Sequence, residues 1–201
     1  MMRAVGSGDR YGRKGPRDIV PRLRTILAAI VALLTPAALP AAGAADAPSK
    51  EYQVKAAMIV NFVQFVEWPS SAFDSDAAPI VIGVIDPDPF GDALEKLAAQ
   101  KTVGSHRLAV KRFGSADAVE SCQVLFVPAA RDPDMPGLMR KLDGRPVMTV
   151  GETDRFPWEG GMIRFFAEDG KVRFEINPDA AQRAGLQVSS KLMKLARVFR
   201  K

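Results

Sequence analysis

Histidine and cysteine each occur once in this chain of 201 residues, as His106 and Cys122, and that scarcity bounds the chemistry open to it. A zinc site draws three or four ligands, mostly imidazole and thiolate, which one histidine and one cysteine cannot furnish. A Cys–His nucleophilic pair is available by composition, yet neither residue stands in a recognisable motif. His106 belongs to Gly104-Ser105-His106-Arg107, a turn ahead of a strand, and Cys122 to Glu120-Ser121-Cys122-Gln123-Val124-Leu125, where a strand begins. A lone cysteine excludes an internal disulfide, so Cys122 reads as a buried structural thiol or as one half of an intermolecular bridge. Gly83 and Gly91 lack the spacing of a phosphate loop or a dinucleotide fingerprint.

Carboxylates make the other candidate cluster. Asp86, Asp88 and Asp92, with Gly91 among them, imitate the opening of a calcium loop. Phe90 falls on a ligand position, however, and Leu97 stands where the bidentate acid belongs, so capping of the following helix accounts for them better. They lie at the carboxyl end of a strand, where doubly wound sheets take ligands. Asp86, Pro128 and Gly151-Glu152-Thr153 would meet there and frame a small-molecule pocket. None of these groups is assigned as catalytic, and no cofactor or metal is expected.

The N-terminal region bears on the address. Seven basic residues precede the apolar run Ile26 to Leu34, which small residues ending Ala42-Gly43-Ala44-Ala45 follow. That order is a secretory signal, and nine apolar residues fall well short of the ~20 that span a bilayer. We expect residues 1–44 to be removed and 45–201 to form one exported domain, with no stable membrane insertion. Of 28 Lys and Arg and 23 Asp and Glu, residues 1–44 hold seven and two, so the remainder is formally neutral. The basic balance belongs to the leader and argues against nucleic acid as a partner.

The elements that must position these groups follow from periodicity. Tyr52 to Trp68 is so apolar that only Lys55, Asn61, Gln64 and Glu67 make a polar stripe, which predicts a helix of about four turns, ended by Pro69 and covered on more than one side by the domain itself or by another subunit. Each Phe or Ile buried there contributes about 2 kcal/mol. Ile80 to Ile85, Leu108 to Phe113, Val124 to Val127 and Pro146 to Val150 read as strands. Between them, helices are expected from Pro89 (capped by Asp88), over Ala116 to Val119, and over Met135 to Leu142, ending near Gly144. Alternation of this kind implies right-handed crossovers and a mostly parallel sheet in a single α/β domain.

Later the pattern changes. Met162 to Phe166 and Lys171 to Ile176 form a hairpin about Asp169-Gly170. Asn177-Pro178 starts a helix that Gly185 ends, and a last helix begins at Ser189 or Ser190 with Leu192, Leu195, Ala196 and Phe199 along one side. The basic residues of that helix read as a solvated face, or as a contact for acidic lipid headgroups or an acidic partner.

Tyr52-Gln53-Val54-Lys55-Ala56-Ala57, Asn61-Phe62, Trp68-Pro69, Ile80 to Ile85 with Asp86-Pro87-Asp88-Pro89-Phe90, Arg145-Pro146-Val147, Gly161-Met162-Ile163-Arg164-Phe165, Phe174-Glu175-Ile176-Asn177, Ala184-Gly185-Leu186 and Ser190-Lys191-Leu192 together resemble the YfiR family of small periplasmic proteins. The resemblance implies a layered sandwich with a six-stranded sheet and about five helices, often a homodimer. It implies a non-enzymatic protein that represses an inner-membrane diguanylate cyclase, or a related sensor protein, by binding its periplasmic domain. That would lower cyclic di-GMP and biofilm formation. The alternative is a small-molecule sensor working with a membrane kinase or transporter. Family members often carry paired cysteines, and this chain does not. As partner contacts we expect exposed groups of the hairpin and tail: Phe166, Glu175, Leu186 and Val188.

Overall fold

Runs of β-branched and apolar residues, unrelieved by polar ones, form the centre of the sheet because both of their faces are covered. A computed structural model describes residues 48–201, so the expected leader lies outside the described residues. Helix α1 (Lys50–Phe62) comes first, then a two-residue strand β1 (Val66–Glu67) and β2 (Ile80–Ile85). Helix α2 (Ala93–Ala98), β3 (Thr102–Val103), β4 (His106–Phe113) and β5 (Val124–Val127) follow, then α3 (Met135–Leu142) and β6 (Met148–Gly151). The last third holds β7 (Ile163–Glu168), β8 (Lys171–Ile176), α4 (Pro178–Arg183), β9 (Gln187–Val188), α5 (Ser190–Leu195) and β10 (Arg197–Val198).

Eight strands form the main sheet in the order β10-β8-β7-β6-β5-β2-β4-β3. Six are full strands, as the family resemblance implies, and β3 and β10 add two residues each at the edges. The run from β4 to β7 is parallel, β7 and β8 are the antiparallel hairpin, and β10 lies parallel to β8. Among the described residues five α-helices flank the sheet. The central strands β2 and β5 feed two apolar clusters, one on each face: Ile82, Val84, Val124 and Phe126, with Val150 of β6, join α1 and α2 in one, while Ile85, Leu125 and Val127 join α3 and Phe156 in the other. The fold is thus the mostly parallel α/β sandwich that the strand and helix order predicts.

Local signals with a complete cap appear within the expected bounds. Asp169 (φ 52°) and Gly170 (φ 69°) make the hairpin turn, whose successive positive φ values match the right-handed twist of the strands. The Asn177 side chain accepts from the Ala180 amide at 3.2 Å. Helix α4 ends in a Schellman motif, with Leu186 N donating to Ala181 O at 3.0 Å and Gly185 N to Gln182 O at 3.0 Å.

Four expectations are corrected. The first helix stops at Phe62, giving way to a 3-10 turn at Val63–Phe65 and then β1, because Val66 and Glu67 pair with Val188 and Gln187 of β9. The helix expected from Pro89 starts at Ala93, since Gly91 has φ +54°, outside helical space, and Asp88 turns back to accept from the Phe90 amide at 2.7 Å. Residues 116–119 form a turn instead of a helix, in which Ser115 Oγ accepts from Ala118 N at 3.3 Å. The last helix ends at Leu195, and Phe199 does not extend its stripe: Phe199 N donates to Ile176 O at 2.8 Å, drawing the chain onto the sheet edge.

Candidate functional site

The carboxyl ends of β2, β5 and β6 bring together the groups expected to frame a pocket, and they satisfy one another. Glu152 leaves β6 with its carboxylate beneath α1, where Lys55 Nζ meets it at 2.6 Å. Their side chains are only 7% and 9% exposed. Tyr52 donates to the same carboxylate at 3.2 Å, and so does the Ala129 amide at 3.0 Å. Arg131 reaches across to Asp86 O at 2.6 Å, and Thr153 donates to Asp132 at 2.6 Å. Burial lowers the pKa of Lys55, but its bonds to Glu152 and Glu51 outweigh that and hold it above its ordinary value. Tyr52 is raised, by burial first and by the Glu152 charge second. Lys55, read in the sequence as part of a polar stripe, is therefore a buried tie between α1 and the sheet.

The three aspartates also part company. Asp88 is used on both oxygens, by the Phe90 amide and by Arg112 at 2.7 Å, and Asp92 pairs with Lys96 at 2.6 Å. Among the described residues no three His, Cys, Asp or Glu side chains are grouped to hold a metal ion. His106 opens β4, with Nδ1 2.6 Å from Ala78 O and its ring stacked on Phe73 at 4.2 Å.

Cys122 is buried in the α3-side cluster, and desolvation pushes its thiol up from 9.0 to about 11. The unfolded thiol ionises first, so this contribution to stability is complete below pH 9 and is lost as pH rises from 9 to about 11. A thiol reagent such as DTNB should leave the folded protein unmodified at pH 8 and titrate one thiol on denaturation. Rapid native labelling would place Cys122 at the surface.

A second arrangement occupies the outward face of the hairpin. Arg164, Phe166 and Glu168 of β7 stand opposite Glu175, Arg173 and Lys171 of β8, while Phe165 and Phe174 on the reverse face stack against Phe62 of α1. The α3-side apolar cluster takes no member from either strand, so this face is charged where its neighbours are packed. Arg164 bridges Glu175 at 2.5 Å and also pairs with Asp154. The half-buried Phe166 ring lies between two guanidiniums, Arg164 at 5.3 Å and Arg197 at 4.2 Å. Glu168 in turn pairs with Arg197.

Of the four residues expected to be exposed contacts, this face brings together Phe166 and Glu175. Glu175 is buried, because its register partner Arg164 lies over it. Leu186 is buried too, since the Schellman turn folds its side chain back onto the core. Val188 is half-buried and paired with Val66 in the separate β1-β9 ribbon. Sequence reasoning missed Arg164 and Arg197. The first was findable, because a two-residue turn at Asp169-Gly170 sets Arg164 opposite Glu175; the second depends on β10, which no local pattern announces.

A cavity of about 110 Å³ opens at the other end of β6, lined by residues that include Arg145, Thr149, Glu159, Met162 and Arg183. Among the described residues no helix is long and apolar enough to cross a membrane.

Fold and surface together define a parallel-sheet α/β domain with a charged hairpin face beside a short edge strand. A family profile described as YfiR/HmsC-like matches residues 52–197, and the chain belongs to that family. Its proteins are periplasmic and regulatory rather than catalytic, with a theme of cyclic di-GMP signalling. Among solved structures, a conserved domain protein from Vibrio cholerae is similar over 74% of this chain and 60% of its own, at 12% identity and a TM-score of 0.47. The chain thus spans 60% of the length of that protein.

Proposed function

We propose that this protein is a non-enzymatic periplasmic regulator that binds the periplasmic sensor domain of an inner-membrane diguanylate cyclase and represses it, lowering cyclic di-GMP and biofilm formation. The family match across residues 52–197 carries this reading, and the hairpin face supplies the surface. Phe166 is the contact residue on it, an aromatic anchor framed by arginines, the residue types enriched where partners bind tightly. Glu175 acts from below by orienting Arg164; Leu186 and Val188 support the neighbouring ribbon. Self-association into a homodimer belongs to the same proposal and is read by sedimentation equilibrium.

Affinity capture from membranes, with cyclic di-GMP measured in a deletion strain, tests the proposal. Capture of a cyclase and a rise in cyclic di-GMP on deletion are expected. Phe166→Ala should weaken capture about tenfold, the loss of one moderate hot spot, with an unchanged melting curve. Unaltered nucleotide levels and no membrane partner would transfer weight to the sensor reading. That alternative is favoured by the cavity near Arg145 and Arg183, and stabilisation by a metabolite against heat is its test.

A further inference from the structure

Four large apolar side chains are strongly exposed among the described residues, Val54, Trp158, Leu195 and Val198, and three of them gather where β10 closes the sheet. Trp158 is 57% exposed and meets Phe199 edge-on with ring centroids 5.0 Å apart. Phe199 follows Val198 directly, and Leu195, 73% exposed, ends α5 two residues before β10 begins. Charges lie beside Leu195. Lys191, Lys194 and Leu195 stand at i, i+3 and i+4 and are all exposed, while Leu192, one turn before Leu195, is buried.

From Gly185 to Lys201 the chain has no acidic residue and five cations, with Arg197, Arg200 and Lys201 continuing the series. Among the described residues only Arg197 of the five has an ion-pair partner, Glu168. Elsewhere among the described residues half of the cations have carboxylate partners, Lys55, Lys96, Lys111, Arg112, Arg155 and Arg164 among them, and acidic residues are interspersed with the rest. The β10 edge therefore combines projecting apolar tips with unmatched positive charge.

We propose that the β10 edge is a lipid-docking surface, seating Trp158 and Leu195 at the headgroup level of an anionic bilayer while the cations of residues 191–201 meet its phosphates. This goes beyond the repressor reading and does not depend on it. A bilayer fits the patch better than a protein partner does. Along residues 191–201 the apolar residues alternate with cations in the sequence, and lysine and arginine can lie along an interface with their charges in the headgroups. An indole, apolar with one N–H, favours that same depth. Arg197 also touches Phe166, so seating this edge would bring the hairpin face down toward a membrane-anchored partner.

Each cation near an anionic surface is worth about fivefold in partitioning, and screening over a Debye length of ~8 Å at physiological salt makes the effect ionic-strength dependent. The test uses protein purified from cells expressing the full chain, mixed with phosphatidylcholine vesicles with or without phosphatidylglycerol and followed by co-sedimentation and tryptophan emission. Binding should require phosphatidylglycerol, shift the emission to the blue and fade in high salt. Trp158→Ala should weaken binding about tenfold and abolish the shift, and Lys194→Gln with Arg200→Gln should weaken it roughly 25-fold. Lys101→Gln with Arg107→Gln, the same loss of charge near the opposite sheet edge, should leave it unchanged. Equal partitioning of wild type and both patch variants would overturn the proposal. So would patch variants that bind vesicles normally but lose capture of a membrane protein, which would make the edge a protein interface.

Discussion

Gly161→Ala is expected to cost about 3 kcal/mol or more, lowering the melting temperature by roughly 10 °C in a domain of this size. The reason is the seat of Phe156. Its ring is almost fully buried and lies between the backbones of Gly151 and Gly161: a Cβ built on either glycine would penetrate the ring, and on Gly161 it would also stand 2.7 Å from the Phe156 carbonyl oxygen. The carbonyl cannot withdraw, since it accepts from the Gly161 amide at 2.8 Å. Gly144→Ala is the control. Its φ is +68°, but nothing lies within 4 Å of the added atom, so only the backbone cost of about 1 kcal/mol applies. Phe156→Ala, itself costing about 3–5 kcal/mol as a core truncation, should relieve most of the penalty of Gly151→Ala, whose added atom meets the ring alone, and only part of the Gly161→Ala penalty, since the carbonyl remains. Additive losses would show that the ring is not what the glycines accommodate.

The second large effect is at Lys55 and Glu152. Removing one member of a buried ion pair strands the other charge, which typically costs 3–5 kcal/mol, whereas exchanging both for apolar groups of similar volume is close to neutral. Lys55→Met and Glu152→Leu are each expected to destabilise by about 3 kcal/mol, and the double variant to recover more than half of the summed loss in a thermodynamic cycle. Tyr52 and the Ala129 amide also lose their acceptor in Glu152→Leu, so that single variant should be the worse. The lysine pKa is raised above 10.5. Its stabilising share is therefore complete below that pH and is lost as pH rises through the raised value. Simple additivity would mean that α1 is held by apolar contact alone.

What could be read from the sequence, and what could not, divides by range. The Asp169-Gly170 turn, the Asn177 cap, the Gly185 stop and the bounds of Met135–Leu142 each depend on residues within one or two turns, and each appears where expected. The two ends of the domain misled, for one shared reason. Val66 and Glu67, like Arg197 and Val198, carry helical periodicity that strand pairing with distant residues overrides. Glu175 shows the same limit on the candidate surface: strict alternation assigns it to the outward face correctly, but alternation does not say that Arg164 will cover it. The Lys55 to Glu152 tie spans most of the domain, and no spacing rule reaches that far. Lys55 shares its polar stripe with Asn61, Gln64 and Glu67, which are exposed, and nothing local sets it apart from them.

Phe62 finds its aromatic partners Phe165 and Phe174 roughly a hundred positions later, and the last turn of α1 is followed by a strand that waits for residues 187 and 188. A ribosome delivers the chain from the other direction. For most of its synthesis the nascent polypeptide carries a greasy amphiphile whose cover has not yet been made, while the central βαβ units are already able to close. Until residues 165–188 are available, the first helix has no cover of its own and is what a holdase chaperone would grip.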